Sequence, residues 1–120
     1  MSHYIDGFVL SVPADKLAAY RKIATKAGKI WREHGALEYR ECVGDDMEVK
    51  GMVAFPKLAK SKAGEVVIFA YARFQSRRHR DAVNKKIMAD PRITALSTEV
   101  SGLFDCTRMA YGGFKTLVEL

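Results

Sequence analysis

The sequence has few cysteines and no long apolar run, and each shortage excludes a class of protein. Two cysteines in 120 residues are too few for a disulfide scaffold, so we expect Cys42 and Cys106 to be free thiols. No apolar segment approaches the ~18 residues of a membrane span. The first residues also lack the basic and apolar stretches of a secretory signal. The sequence therefore predicts a soluble, cytoplasmic protein without contact to a membrane.

The motifs of known catalytic and metal sites are also missing. The sequence contains no Walker loop, no dinucleotide-binding glycine pattern and no nucleophile elbow. His3, His34 and His79 do not occur at any spacing typical of metal ligands. The sequence accordingly predicts no metal and no cofactor. It leaves the catalytic residues unknown and leaves open whether the protein is an enzyme.

What is present is enough apolar sequence for one domain. Hydrophobic residues make up 48% of the 120 residues, and a domain of this length buries roughly two-thirds of the surface that its unfolded chain exposes. No repeat and no linker divides the chain. We therefore expect residues 1–120 to form a single domain.

Hydrophobic periodicity predicts the elements of this domain. Two-residue alternation and β-branched or aromatic content predict strands over residues 4–12, 36–43, 65–74 and 107–114. Three- and four-residue spacing predicts helices over 14–34 and 77–89, with a further short helix starting at Asp90-Pro91. Strand, helix, strand, strand, helix, strand is the ferredoxin-like βαββαβ order, an α+β fold whose antiparallel sheet carries two helices on one face.

Residues 45–64 interrupt this pattern with a long irregular stretch. Residues 52–55 could form a short strand or a flap within it. Because loops of this length in compact domains are often functional or mobile, the stretch is a candidate lid.

The strands over residues 4–12 and 65–74 are apolar on both faces, although helices are predicted on only one. The second face must pack against something apolar. The economical answer is a second copy of the chain, sheet against sheet, in a twofold homodimer.

Four strings of the sequence together resemble one bacterial family. The strings are YIDGFVLSVPADKLAAYR, HGALEYRECVGDD, RDAVNKKIMADPR and RMAYGGF. Over essentially its whole length the chain is similar to the YbaA-like group, domain-of-unknown-function family 1428. The resemblance implies a dimeric α/β barrel, in which two ferredoxin-like subunits pack their sheets together. It implies no established activity.

Aromatic side chains on the strands and at the end of the first helix suggest a ligand pocket. Phe8, Trp31, Tyr71 and Tyr111 could line a mostly apolar cavity, with Arg73 as an oriented polar group. The alternative is that these side chains interlock as ordinary core, which close packing favours.

Charged residues in mid-strand need partners if they are buried. Asp6, Arg40, Glu41 and Arg73 are such residues. Adjacent strands could pair Asp6 or Glu41 with Arg73, either in an ion-pair network at a dimer interface or at the polar end of the pocket.

The second predicted helix is basic and raises the alternative of nucleic-acid binding. Arg77, Arg78, Arg80, Lys85 and Lys86 lie on it, and the chain has a net charge of +6. No RNA-binding aromatic motif accompanies them, so we interpret the helix as a solvated face. Any binding to nucleic acid should be weak, without sequence preference and salt-sensitive.

Three functions therefore compete. The first is a dimeric α/β-barrel protein that binds or transforms a small organic molecule. The alternatives are a structural or protein-interaction homodimer and a non-specific RNA binder that uses the basic helix.

Overall fold

A four-stranded antiparallel sheet organises the chain in the computed structural model, which describes residues 2–120. The strands are β1 (Tyr4–Pro13), β2 (Glu38–Val43), β3 (Glu65–Phe74) and β4 (Ala110–Lys115). Their order in the sheet is β2-β3-β1-β4, and every neighbouring pair is antiparallel. This is the predicted ferredoxin-like topology. The sheet of the single chain is open, so the dimeric barrel stays a prediction.

Four helices join the strands: α1 (Leu17–His34), α2 (Phe55–Leu58), α3 (Arg77–Met88) and α4 (Pro91–Ser101). The local signals in the sequence set their ends. The Ser76 hydroxyl accepts a hydrogen bond from the His79 amide at 3.1 Å and caps α3, as N-cap residues do. Gly35 ends α1 with a φ of 121°, a conformation that glycine adopts without a steric penalty.

The core lies between the sheet and the long helices. At one end, Leu10 and Val12 of β1 pack with Tyr20 of α1. At the other end, Phe74 of β3 packs with Ile87 of α3. Burial of this apolar surface on one side of the sheet is the main force holding the helices there.

The strand register assigns every side chain to one of two faces. Residues paired across neighbouring strands share a face, and successive residues alternate between faces. We call the face away from α1 and α3 the open face. Its exposed or half-buried residues are Ile5, Gly7, Val9, Glu38, Arg40, Cys42, Phe69, Tyr71, Arg73, Ala110, Gly112 and Phe114.

The segment after β2 folds across one end of the open face. The Phe55 ring meets the Phe69 ring edge-on at 6.2 Å, and the Ser11 hydroxyl donates to the Ala59 carbonyl at 3.3 Å. The strand considered for residues 52–55 is wrong, because Phe55 begins a helical turn with Pro56 in it. Proline fixes φ near −65° and has no N–H for a strand ladder.

The last strand starts later than predicted. The Asp105 carboxylate accepts hydrogen bonds from the amide and hydroxyl of Thr107, at 3.0 and 2.6 Å. This side-chain cap holds residues 106–108 in a 3₁₀ turn, because an aspartate at this position satisfies backbone amides that a ladder would otherwise use. The strand consequently begins only at Ala110.

Candidate functional site

A cavity of about 1000 Å³ lies between α1 and the edge strand β2. Leu17, Ala24, Val43 and Ile68 contribute apolar surface to its wall. The side chains of β2 that face α1 form one wall of the cavity. One side of α1 forms the opposite wall along most of the length of the helix. The space is therefore a groove between a helix and a sheet edge.

A carboxylate held by two phenols lies in this cavity. The hydroxyl of Tyr39 donates to Oε2 of Glu41 at 2.5 Å, and the hydroxyl of Tyr20 donates to the other oxygen, Oε1. Burial first, and then the adjacent Glu41 charge, raise the pKa of both phenols well above their usual range. The phenols therefore stay protonated donors, and Glu41 acts as the acceptor of both.

Local structure explains why these three side chains meet. Alternation along β2 points Tyr39 and Glu41 toward α1, where Tyr20 lies on the inner stripe of the helix. Gly28 lets the Tyr39 ring approach α1 closely, because a Cβ at Gly28 would lie 2.7 Å from Cδ1 of Tyr39. A larger residue there would push the ring away from the helix.

The α1 side of the cavity is basic. Arg21, Lys29 and Arg32 border it. The Arg32 guanidinium also donates to the Ala36 carbonyl at 2.9 Å. Glu33 borders the cavity too, but its carboxylate is paired with Arg92 at 2.7 Å.

The five residues predicted to bind a ligand lie in three separate places. The Phe8 and Tyr111 rings pack at 4.9 Å. Trp31 packs against Tyr39 at 5.7 Å between ring centres. Tyr71 and Arg73 are on the open face. None of the five lines the α1–β2 cavity, and their role in ligand binding stays a prediction.

The polar group on the open face centres on Glu38. Its carboxylate accepts from the Tyr71 hydroxyl at 2.8 Å, from Arg40 at 3.0 Å and from Arg73 at 3.3 Å. These contacts, the one from Tyr71 foremost, lower the pKa of Glu38. Tyr71 and Arg73 are thus brought together by a residue that the sequence analysis did not select.

The predicted pairing of Asp6 or Glu41 with Arg73 is wrong. Arg73 lies on the open face, whereas Asp6 and Glu41 point toward the helices. Alternation along a strand separates such residues by the thickness of the sheet. Asp6, whose side chain is 2% exposed, instead pairs with Arg80 of α3 at 2.5 Å.

Arg80 is therefore not part of a solvated basic face. Its side chain is 11% exposed, donates to the Tyr111 hydroxyl at 3.1 Å and lies 4.9 Å from the centre of the Tyr4 ring. Arg77, Arg78, Lys85 and Lys86 remain exposed on α3, so the basic surface is smaller than the sequence suggested.

Tyr20 and Tyr39 were not among the site residues predicted from the sequence, and Glu41 was predicted to pair with the wrong residue. A signal was present, since the predicted β2 alternation already placed Tyr39 and Glu41 on one face. The alternation does not show that this face contacts the side of α1 that carries Tyr20. That contact depends on how the helix lies across the sheet.

Residues 2–120 contain neither a cluster of metal ligands nor a membrane-spanning helix. No group of three or more histidine, cysteine, aspartate or glutamate side chains is close enough to hold a metal ion there. No helix in the same range is both long and apolar enough to span a bilayer. Both cysteines are free and exposed.

The sequence of the chain matches the family described as "Protein of unknown function (DUF1428)" over residues 3–106. The chain belongs to the DUF1428 family. The uncharacterized YbaA proteins of Escherichia coli K12 and Shigella flexneri are each 40% identical to it over 116 residues, which is 97% of both chains. The resemblance inferred from the sequence strings is thereby confirmed.

Solved structures share the fold of this DUF1428 chain. A dimeric ferredoxin-like protein from an uncultured marine organism superposes with a TM-score of 0.58 at 8% identity over 100% of both chains. An uncharacterized NIPSNAP domain protein from Burkholderia xenovorans gives a TM-score of 0.56 at 12% identity, over 92% of this chain and 91% of the other. At such low identity the likeness concerns the fold alone.

Proposed function

We propose that this DUF1428 protein binds a small organic molecule in the cavity between α1 and β2. The observation that carries the proposal is the Glu41 carboxylate, held by Tyr20 and Tyr39 within a partly apolar cavity. Ligand sites typically combine about 300–1,000 Å³ of mostly apolar space with a few placed polar groups, and this cavity has both features.

Glu41 gives the cavity a defined chemical preference. Each carboxylate oxygen has two acceptor positions, and each already accepts one phenol hydrogen. The remaining positions suit a hydroxyl or amine donor of a ligand. Glu41 would orient such a group by accepting a hydrogen bond from it. If the ligand is also transformed, Glu41 would be the group that accepts a proton from the ligand.

Binding of a neutral fluorescent probe, N-phenyl-1-naphthylamine, tests the proposal. Thr25 borders the cavity and is exposed, so Thr25→Trp should fill the mouth of the cavity without disturbing the core. We expect the parent chain to bind the probe and Thr25→Trp to weaken that binding about tenfold or more, a change of about 1.4 kcal/mol or more.

Ala19→Trp is the matched control, because Ala19 is also an exposed residue of α1 but does not border the cavity. It should bind the probe like the parent. Probe affinity that is the same in the parent and both variants would contradict the proposal.

We also propose that the protein is a homodimer whose subunits pack open face to open face as a dimeric α/β barrel. Phe69 and Phe114 on that face are 47% and 60% exposed and share the face with Ile5 and Val9, and contiguous exposed apolar patches mark interaction sites. The ferredoxin-like protein from the marine organism is described as dimeric, which supports self-association of this fold. Sedimentation equilibrium at micromolar concentration should give a mass of about twice 13.4 kDa.

The remaining alternatives stay predictions. A purely structural homodimer would show the expected mass but no cavity binding. A non-specific RNA binder would use the exposed α3 residues and lose affinity steeply as salt rises. The cytoplasmic location is likewise a prediction, to which two free thiols are suited.

A further inference from the structure

We infer that the ligand of the α1–β2 cavity is an organic anion, with an apolar body inside the cavity and a carboxylate, sulfonate or phosphate group at the α1 rim. The inference rests on the proposed function and deepens it. It comes from the distribution of charge around the cavity, in which cations border one side without anionic partners.

The rim cations form one row along α1. Arg21, Lys29 and Arg32 all border the cavity, and residues spaced by three, four or eight positions fall on one side of a helix. Arg32 lies eleven positions after Arg21, so the row is about 16 Å long at 1.5 Å per residue. A small acid at any point along the mouth would therefore be near a positive charge.

These cations are not neutralised within the described chain. Neither Arg21, Lys29 nor Arg32 takes part in any ion pair among residues 2–120. The hydrogen bonds of Arg32 go to neutral backbone carbonyls. A bound anion would complete the charge pairing that the protein leaves open.

The two carboxylates that border the cavity do not pair with these cations. Glu33 is already paired with Arg92 at 2.7 Å. Both oxygens of Glu41 accept phenol hydrogens from Tyr20 and Tyr39. The cavity thus has an acceptor at Glu41 and cations along α1, with apolar wall from Ile68 and its neighbours.

This polarity orients the ligand. Its acid group would lie toward α1, its apolar body against the wall, and any hydroxyl or amine toward Glu41. Lys22 and Lys26 border the adjoining shallow surface of α1 and extend the positive field, which raises the local concentration of anions near the mouth.

Two probes that share one skeleton test the inference. The anionic probe, 8-anilinonaphthalene-1-sulfonate, is N-phenyl-1-naphthylamine with a sulfonate added. We expect the double variant Arg21→Gln/Lys29→Gln to weaken binding of the anionic probe about tenfold, a change of about 1.4 kcal/mol, because it removes two positive charges from the rim. Binding of the neutral probe should change less than about twofold.

The matched control is Arg77→Gln/Lys85→Gln, which removes the same charge from exposed positions of α3. It should leave the affinity of both probes within about twofold of the parent. In the parent chain, raising NaCl from ~0.05 to ~0.5 M should weaken binding of the anionic probe more than binding of the neutral probe, because salt screens exposed charges. The salt measurement needs no variant.

The outcomes separate the inference from the proposed function. If Thr25→Trp displaces both probes but the rim variant and salt affect them equally, the anion inference is wrong and the cavity remains a binding site. If Thr25→Trp displaces neither probe, the cavity is not the site and both ideas fail.

Discussion

At the residue scale, several charged side chains are paired with specific partners, and Glu65 shows how such pairing shifts a pKa. Its two carboxylate oxygens accept from Nη1 and Nη2 of Arg108 at 2.8 and 2.7 Å. The side chains of Glu65 and Arg108 are only 9% and 15% exposed. The Arg108 hydrogen bonds, first among the causes, lower the pKa of Glu65 to about 2.

This shift predicts a pH dependence of stability. The unfolded carboxyl has a pKa of ~4.3, so unfolding below that pH takes up a proton that the folded protein excludes. The stabilising contribution is complete above about pH 5 and is lost as pH falls through about 2. Between about pH 5 and 2, unfolding of the Arg108→Gln protein should take up fewer protons than unfolding of the parent, by up to about one per chain. The pH dependence of the free energy of unfolding in urea measures this uptake.

Arg77→Gln is the matched control, because Arg77 is exposed on α3. Its stability profile should parallel that of the parent between about pH 5 and 2. If the free energy of unfolding of the parent and of Arg108→Gln changed in parallel with pH, Arg108 would not be what lowers the pKa of Glu65.

The sequence could not predict another residue-scale pair, Asp6 with Arg80. Arg80 follows two other arginines and precedes Asp81, so its neighbours in sequence suggest a solvated face. Its guanidinium passes close to Gly113 of β4 on the way to Asp6. A Cβ at Gly113 would lie only 2.9 Å from Nη1 of Arg80. Glycine therefore leaves the space that this contact needs, and nothing local to α3 signals it.

At the scale of elements, prediction succeeded where a signal is local. Strand β3 runs from Glu65 to Phe74, as its apolar run indicated. Helix α4 starts at Pro91 with Asp90 as its N-cap, where the Asp90-Pro91 pair predicted a helix start. The start of β4 was misplaced because Asp105 caps a turn that competes with the strand. Alternation alone does not show which of two local structures a segment adopts.

Contact between elements gives the second stability prediction, at Gly28 of α1. Replacing a helix-interior glycine by alanine usually stabilises a helix by about 1 kcal/mol. Here the new Cβ would lie 2.7 and 2.9 Å from Tyr39 ring carbons, and overpacking of this kind costs about 1–3 kcal/mol. We expect Gly28→Ala to lower the free energy of unfolding in urea, against the helix-propensity trend.

Gly102 at the end of α4 supplies the comparison. A Cβ there would lie 3.8 Å from the Glu99 carbonyl oxygen, an ordinary contact. Gly102→Ala should change the free energy of unfolding by less than about 0.5 kcal/mol. A Gly28→Ala protein more stable than the parent would mean that Tyr39 does not pack tightly on α1.

At the scale of the whole molecule, the sequence indicated a second apolar face but not its composition. The register divides the open face into a polar part around Glu38, Arg40 and Arg73 and an apolar part around Phe69 and Phe114. Alternation within single strands could not separate these parts, because the division depends on which strands are neighbours.

The apolar part of this face carries the last prediction, which concerns the dimer. A stable homodimer should bury on the order of 2,000 Å² or more in total, and Phe114, which is 60% exposed, contributes a large apolar side chain to this face. If this face is the interface, Phe114→Lys would bury an unpaired ammonium group from each subunit, so we expect it to shift the protein toward monomer in sedimentation equilibrium. Met88→Lys on α3, where Met88 is 68% exposed, adds the same charge away from the open face and should leave the dimer intact. A monomeric parent at micromolar concentration, or a Phe114→Lys protein that remains as dimeric as Met88→Lys, would contradict packing through the open face.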